Sequence, residues 1–342
     1  MNAETNCNRI GLGKNDYSGK PSTLCKGCGH DSITAAIIQA YYELGVPPHQ
    51  VAKFSGIGCS SKTPTYFIDR GHGFNSVHGR MPSVATGATI ANKKLTIIGV
   101  SGDGDTASIG MGQFCHIVRR NVDMVYIVEN NGTYGLTKGQ FSATADVGSV
   151  LKKGQVNPYP VIDCCAVGIE LGATFVARSF SGDRKQVISL IKAAYAHKGI
   201  AILDIISPCV TFNNNEGSTK SYTFVKEHDI PLHELGFIQS QEEISVEMKE
   251  GERREIELHD GSRLMLRKLD REYDPTNKIA AMAAISEARD KQELITGLLY
   301  FNNKGTDLNS LLNTVDVPLW SLGEKDLDPG AEVLKKINTS LR

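Results

Sequence analysis

Cys25 and Cys28 form a C-x-x-C pair, and Cys59 and Cys209 follow at long intervals. Two thiols three positions apart put both sulfurs on one loop, the usual start of a fourfold thiolate set. Spacing alone leaves structural zinc and an iron–sulfur cluster both open, because the C-x-x-C-x-x-C run of ferredoxin-like ligation is absent. A second group is Gly102-Asp103-Gly104-Asp105, with Asn130-Asn131 following so that Asn131 lies 28 positions after Asp103. A glycine-flanked carboxylate at the end of a strand lets backbone amides approach a diphosphate while Asp103 reaches a magnesium ion. Asn131 would bring a neutral oxygen to the same ion and the Thr133 carbonyl another, and hard oxygen donors suit magnesium. Either motif by itself is a tight turn. Separated by one crossover, they make one site.

Polar loop residues form a third group. His78 and Arg80, in Val-His-Gly-Arg before a helix, are candidates to touch a cofactor or the acid it attacks, whereas His72 reads equally well as structural. Lys62 and Lys138 would supply positive charge to an anionic substrate, although a solvated lysine is the default. Arg119-Arg120 is a charge pair complementing a helix C-terminus. Cys7, Cys115, Cys164 and Cys165 have no ligand-like context; Cys115 lies among apolar helix neighbours and Cys164-Cys165 open another helix, which predicts buried free thiols.

The elements that must position these groups alternate. Helices are predicted over Asp31–Leu44, Pro82–Asn92, Ser108–Asn121 and Asp183–His197, each placed by caps, small residues or amphipathic spacing. Between them, Val51–Gly56, Leu95–Ser101, Val122–Glu129 and Ile200–Ser207 are short apolar runs, as expected of strands covered on both faces. The fold class is therefore α/β, a doubly wound and mostly parallel sheet. Cysteines and polar loops then converge at the carboxyl edge. Residues 1–215 form this domain. From 216 to 342 acidic and basic residues thicken and glycine-rich loops cease, a C-terminal extension serving as interface or lid. It holds a hairpin over Glu255–Leu269 turning at Asp260-Gly261 and a helix over Asn277–Arg289.

Composition narrows the class. Across 342 residues, 37 basic and 38 acidic side chains leave a net charge of −1, so no basic surplus argues for nucleic acid. No apolar run reaches the roughly 18 residues of a membrane span, and the N-terminus lacks the apolar stretch of a secretory signal. A soluble, cytoplasmic chain with reduced cysteines is expected, which favours metal or cluster ligation over disulfides.

Six segments in order, CKGCGH (25–30), GIGCSSKTPTYF (56–67), HGR (78–80), GDGD (102–105), ENNGTYGLTKGQ (129–140) and SPCVTFN (207–213), resemble the β subunits of 2-oxoacid:ferredoxin oxidoreductases. The resemblance spans roughly residues 22–225 and is nearest to members acting on 2-oxoglutarate. It implies a thiamine-diphosphate-binding type of sheet, magnesium on Asp103, Asn131 and Thr133, and a [4Fe–4S] cluster on Cys25, Cys28, Cys59 and Cys209. Gly58, Ser60, Ser61, His78, Gly102, Gly104, Asp105, Tyr134 and Gly135 are carried over as cofactor contacts. His78, Arg80, Lys62, Leu136 and Lys138 become candidates for the reacting end. Also implied are oxidative decarboxylation to acyl-coenzyme A with single electrons passing to ferredoxin, reversal in the carboxylating direction, and a separate α subunit. That partner would carry the activating glutamate and most groups for the 2-oxoacid and coenzyme A. Pyruvate or branched-chain acids are the alternative substrates, and a non-redox zinc-stapled scaffold subunit is the alternative class.

Overall fold

A computed structural model describes residues 7–150, 155–210, 248–257, 263–269, 272–291 and 293–341. Helix α1 (Gly29–Leu44) ends at Gly45, whose φ of 60° is the left-handed conformation a helix stop needs. Then come β1 (Val51–Ser55), β2 (His72–Asn75), α2 (Met81–Ala91), β3 (Thr96–Gly102), α3 (Met111–Arg119) and β4 (Met124–Asn130). A small hairpin of β5 (Thr133–Tyr134) and β6 (Gln140–Phe141) precedes α4 (Cys164–Glu170), β7 (Phe175–Phe180), α5 (Arg184–Ala196) and β8 (Ile200–Ile206). The C-terminal part adds β9 (Arg253–Glu257), β10 (Arg263–Lys268), α6 (Lys278–Asp290), β11 (Leu294–Phe301), α7 (Leu308–Leu311), α8 (Glu324–Leu327) and α9 (Gly330–Ser340).

Nine strands form one sheet in the order β2-β1-β3-β4-β8-β7-β11-β10-β9. From β2 to β7 every pairing is parallel; β11 joins β7 antiparallel, and β9 and β10 form the antiparallel hairpin at the far edge. The α/β expectation holds, and the central apolar runs are the buried strands they were read as. Alternate residues serve opposite faces. On β4, Met124, Tyr126 and Val128 join a core with α2, α3, α4 and α6, while Val125 and Ile127 join a core with α1 and α5.

Three strands of this sheet escape the sequence reading, β2, β7 and β11. β7 carries Arg178 in its middle, and β11 is broken at Gly297, whose φ is 130° beside a register shift between Leu298 and Tyr300. The helix expected over Ser108–Asn121 is split. Residues Gly104–Ile109 form a π-helical turn and α3 begins only at Met111, because Gly110 packs closely against Gly79. The expected boundary at 215–216 and the Asp260-Gly261 turn lie outside the described residues. Strands on both sides of that boundary share one sheet. No helix among the described residues is long and apolar enough to cross a membrane.

Candidate cofactor site

The loops after β1, β3 and β4 meet in one cleft at the carboxyl edge of the sheet. Parallel neighbours bring their carboxyl ends side by side, which is why residues far apart in sequence converge here. Gly58, Cys59 and Ser60 come from the first loop, Gly102 to Asp105 from the second, and Asn131, Thr133, Tyr134, Gly135 and Leu136 from the third. His78 enters from the turn before α2.

Asp103 is buried, and its carboxylate ties the second loop to the third. Oδ1 accepts from the Asn131 amide at 3.2 Å, and Oδ2 accepts from Thr144 Oγ1 at 2.7 Å and from Ser142 Oγ. Asn131 Oδ1 accepts from the Thr133 amide at 3.1 Å, and the Thr133 hydroxyl turns away to the Gln140 carbonyl. Gly102 and Gly104 are tight: a Cβ on the former would meet Ser60 Oγ at 2.8 Å, and one on the latter would strike the Tyr134 ring at 2.6 Å. Tyr134 hydroxyl donates to the Gly104 carbonyl at 2.8 Å, closing the turn. Asp105 uses its oxygens inside the protein, accepting from His78 Nδ1 at 2.5 Å, the Gly79 amide at 2.8 Å, Ser101 Oγ at 2.8 Å and the Ile57 amide at 3.3 Å. It thereby clamps the loops around the cleft and orients His78.

Two of the expected cysteines, Cys59 and Cys209, meet on the same rim. A Cβ on Gly135 would lie 3.5 Å from Cys59 Sγ and 3.7 Å from Cys209 Sγ, so that glycine separates the two sulfurs. The Cys28 amide donates to the Cys25 carbonyl at 3.1 Å, closing the C-x-x-C turn. Burial pushes the Cys28 thiol well above its ordinary pKa, with Glu129 and Cys209 adding to the effect; burial likewise raises Cys59, helped by Cys209 and Cys25. Cys209 thus lies within electrostatic reach of both Cys28 and Cys59, and Cys25 within reach of Cys59. Among the described residues, no three His, Cys, Asp or Glu side chains close on one point as a single ion would require. Thr211, Phe212 and Asn213 of the last motif lie outside the described residues.

Two residues of the cleft were quoted within the motifs but given no role. His30, directly after the C-x-x-C loop, is fully buried; Nδ1 lies 2.7 Å from Ser207 Oγ and Nε2 lies 3.5 Å from Asn131 Nδ2. Burial lowers its pKa to about 4, so it is the neutral imidazole at neutral pH, and an amide donor at Nε2 assigns the proton to Nδ1. Glu129 is the second. It is the penultimate residue of β4, is 0% exposed, and has His30 Nδ1 3.7 Å from Oε2, beyond hydrogen-bond distance. Burial, reinforced by Asp31, raises its pKa well above the usual range. A charged residue closing an otherwise apolar run was the available signal.

Other expected residues lie elsewhere. Ser61 and Lys62 line an adjoining cleft with Lys20, Thr23 and Tyr66, which shares Ile57, Gly58 and Leu136 with the first. Ser61 Oγ there is buried and has no hydrogen-bond partner among the described residues. Leu136 is 48% exposed at the mouth. Arg80 lines neither cleft, since it takes the N-cap position of α2 with its side chain exposed. Lys138 also lines neither; it sits exposed at the β5–β6 turn with φ of 77°. His72 is exposed on edge strand β2, 3.1 Å from the His49 carbonyl. Of the four unassigned cysteines only Cys164 and Cys165 are buried. Cys7 is exposed and Cys115 half-buried, because the expected apolar surround of α3 covers only one of its faces.

This donor set suits two different groups. Hard oxygens of Asp103, Asn131 and Thr133 beside side-chain-free Gly102 and Gly104 fit a metal-bound diphosphate. The Cys59 and Cys209 thiols beside Gly135, with the C-x-x-C pair of Cys25 and Cys28 as further donors, fit a soft-metal cluster, and the buried Glu129 carboxyl lines the same cleft.

Comparisons with known proteins agree with this geometry. Residues 51–205 match the thiamine pyrophosphate enzyme, C-terminal TPP-binding domain family. The β subunit of a 2-oxoacid:ferredoxin oxidoreductase from Saccharolobus solfataricus is 44% identical over 58% of this chain, and this match takes in 65% of that subunit's own length, a little under two thirds. The 2-oxoglutarate synthase subunit KorB of Methanocaldococcus jannaschii is 36% identical over 69% of this chain and 88% of its own. A solved 2-oxoglutarate:ferredoxin oxidoreductase from Magnetococcus marinus, with 2-oxoglutarate, coenzyme A and succinyl-CoA bound, superposes with a TM-score of 0.74 at 29% identity over 96% of both chains. From the ordered motifs, the shared rim and this coverage, the chain belongs to the β subunits of the 2-oxoacid:ferredoxin oxidoreductases.

Proposed function

We propose that this chain is the thiamine-diphosphate-binding β subunit of a 2-oxoglutarate:ferredoxin oxidoreductase that forms acyl-coenzyme A and carbon dioxide and passes single electrons to ferredoxin. The observation that carries the reading is the convergence of Asp103, Asn131 and Cys59 in one cleft, with Cys209 beside it at Gly135. Asp103, Asn131 and the Thr133 carbonyl would hold magnesium, and Cys25, Cys28, Cys59 and Cys209 a [4Fe–4S] cluster. When bound, thiamine diphosphate supplies the nucleophile for a 2-oxo carbon and the cluster accepts electrons singly.

This chain's own residues do the placing. Gly102 and Gly104 let amides approach the diphosphate, Tyr134 braces the turn, and Asp105 holds His78 facing the cleft. Ser60, Ser61 and Gly58 shape the wall between the two clefts. Leu136 at the mouth and Lys62 in the adjoining cleft would set the preference for an anionic chain; Arg80 and Lys138, both exposed, are weaker candidates that would face a partner or the medium. An α subunit would complete the site. Supporting this, the last thirty or so residues expose a run of apolar side chains, among them Leu311, Trp320 and Leu341, of the kind subunit interfaces cover. The near-balanced charge gives no basic surplus for nucleic acid, and a cytoplasmic location is part of the proposal.

The test is co-expression with the α subunit under anaerobic conditions, followed by reduction of ferredoxin or viologen with 2-oxoglutarate, pyruvate or branched-chain 2-oxoacids and coenzyme A. Fastest reduction with 2-oxoglutarate is expected. Fastest reduction with pyruvate would move the assignment within the family. No coenzyme A-dependent reduction by any 2-oxoacid would return the scaffold reading.

A further inference from the structure

The paired asparagines do different work. Asn131 faces the cleft, whereas Asn130 turns into a buried polar chain behind it. Asn130 Nδ2 donates to Asp204 Oδ1 at 2.9 Å, and Arg178 Nε donates to the other Asp204 oxygen at 2.9 Å. Arg178 continues to Asp163 at 2.7 Å, and Asp163 caps α4 through the Cys165 and Ala166 amides. On the opposite side, Asn130 Oδ1 lies 3.0 Å from Thr144 Oγ1, which is 2.7 Å from Asp103 Oδ2. Ser142 Oγ bonds the same Asp103 oxygen and lies 2.9 Å from Thr144 Oγ1. Every side chain from Asp103 to Arg178 is buried, none more than 7% exposed.

Proton counting defines the roles. Each hydroxyl has one proton and both lie within hydrogen-bond reach of Asp103 Oδ2, Thr144 Oγ1 sharing its proton with Asn130 Oδ1. Two donors on one carboxylate oxygen fix the plane of the carboxylate. The chain behind them, anchored by the Arg178 ion pairs, fixes the hydroxyls.

We propose that Ser142 and Thr144 are positioning residues that aim the Asp103 carboxylate at its divalent cation, and that Asn130 is their brace and not a ligand. The proposal rests on Asp103 holding magnesium. Partners of this kind in other metal sites change metal affinity by about 10–100-fold when removed. Neither Ser142 nor Thr144 lines the cleft, so neither would touch the cofactor itself.

The experiment titrates Mg²⁺ into the αβ complex at fixed thiamine diphosphate, without substrate, and reads thiamine binding calorimetrically; melting temperature and iron content serve as controls. Thr144→Val should raise the Mg²⁺ concentration for half-maximal binding about 10–100-fold, with iron content unchanged, and Thr144→Ser should restore it. Ser142→Ala carries the same expectation should Thr144→Val fail to fold. Asp103→Ala, run alongside, should abolish Mg²⁺-dependent binding. Wild-type Mg²⁺ dependence in Ser142→Ala and in any folded Thr144→Val, with Asp103→Ala defective, would overturn the positioning role alone. Wild-type dependence in Asp103→Ala would overturn the magnesium assignment beneath it.

Discussion

The rim behind the cleft and the segment after residue 311 place opposite demands on the chain. Behind the cleft, Asp103, Asn130, Asp204 and Arg178 are all buried, and each is satisfied by another residue of the same chain. After α7, large apolar side chains stay in solvent: Trp320 is 82% exposed and Leu341 80%, and α9 buries no residue at all. Buried polar networks are costly when incomplete, so the first region is determined by this chain alone. The second gains little from intramolecular packing, and substitutions there should cost the isolated fold little.

The largest break in that contrast is Arg178→Ala. It strands the Asp163 and Asp204 carboxylates in the interior, and a loss of about 3–5 kcal/mol is expected in urea unfolding. Lys53→Met comes next. Its ammonium, buried on β1 with its pKa lowered by burial to about 8, donates to the carbonyls of Pro64, Phe67 and Ile68 at 2.7–2.8 Å and so holds the loop that follows Cys59. Leaving those carbonyls unpaired should cost about 1–3 kcal/mol, with a lowered urea midpoint as the readout.

An acid titration sharpens the contrast further. Burial raises the Asp163 pKa, but Arg178 and the α4 amides more than offset this, and the net value lies below the ordinary 3.8. Because the folded-state pKa is depressed, the contribution is complete above the unfolded value and is lost as pH falls through the folded one. Stability should therefore decline below about pH 4, and Asp163→Asn should flatten that decline in denaturation curves taken from pH 5 downward. Smallest of all, Trp320→Ala should leave the stability of the isolated chain within about 0.5 kcal/mol. A larger loss in the melting curve would mean that the segment packs where it is seen exposed.

The central sheet was legible because β3, β4 and β8 are covered on both faces and so read as uninterrupted apolar runs. β7 was not, because Arg178 looks like a loop residue until Asp163 and Asp204, distant in sequence, are seen beside it. β11 was hidden by Gly297, which supports an irregular pairing no local pattern announces. In the site, Asp103, Asn131, Cys59 and His78 were readable from glycine-flanked motifs and their order. Ser142 and Thr144 were not, since hydroxyls in a surface-like Ser-Ala-Thr stretch reveal their acceptor only when the β5–β6 hairpin folds them onto Asp103. Asp105 was readable as a rim residue, but its engagement with the loop after β1, the turn before α2 and the end of β3 follows from tertiary contact alone.

One preparation tests the central claim most directly. The αβ complex, purified anaerobically with Mg²⁺ and thiamine diphosphate and then desalted, is assayed for iron, acid-labile sulfide, zinc and bound thiamine. About four iron and four sulfide per chain, as for one Cys₄-ligated cubane, together with one thiamine diphosphate, is the expected result, and Cys209→Ala should lose the iron. Stoichiometric zinc without iron, or full iron retained in Cys209→Ala, would contradict the joint site.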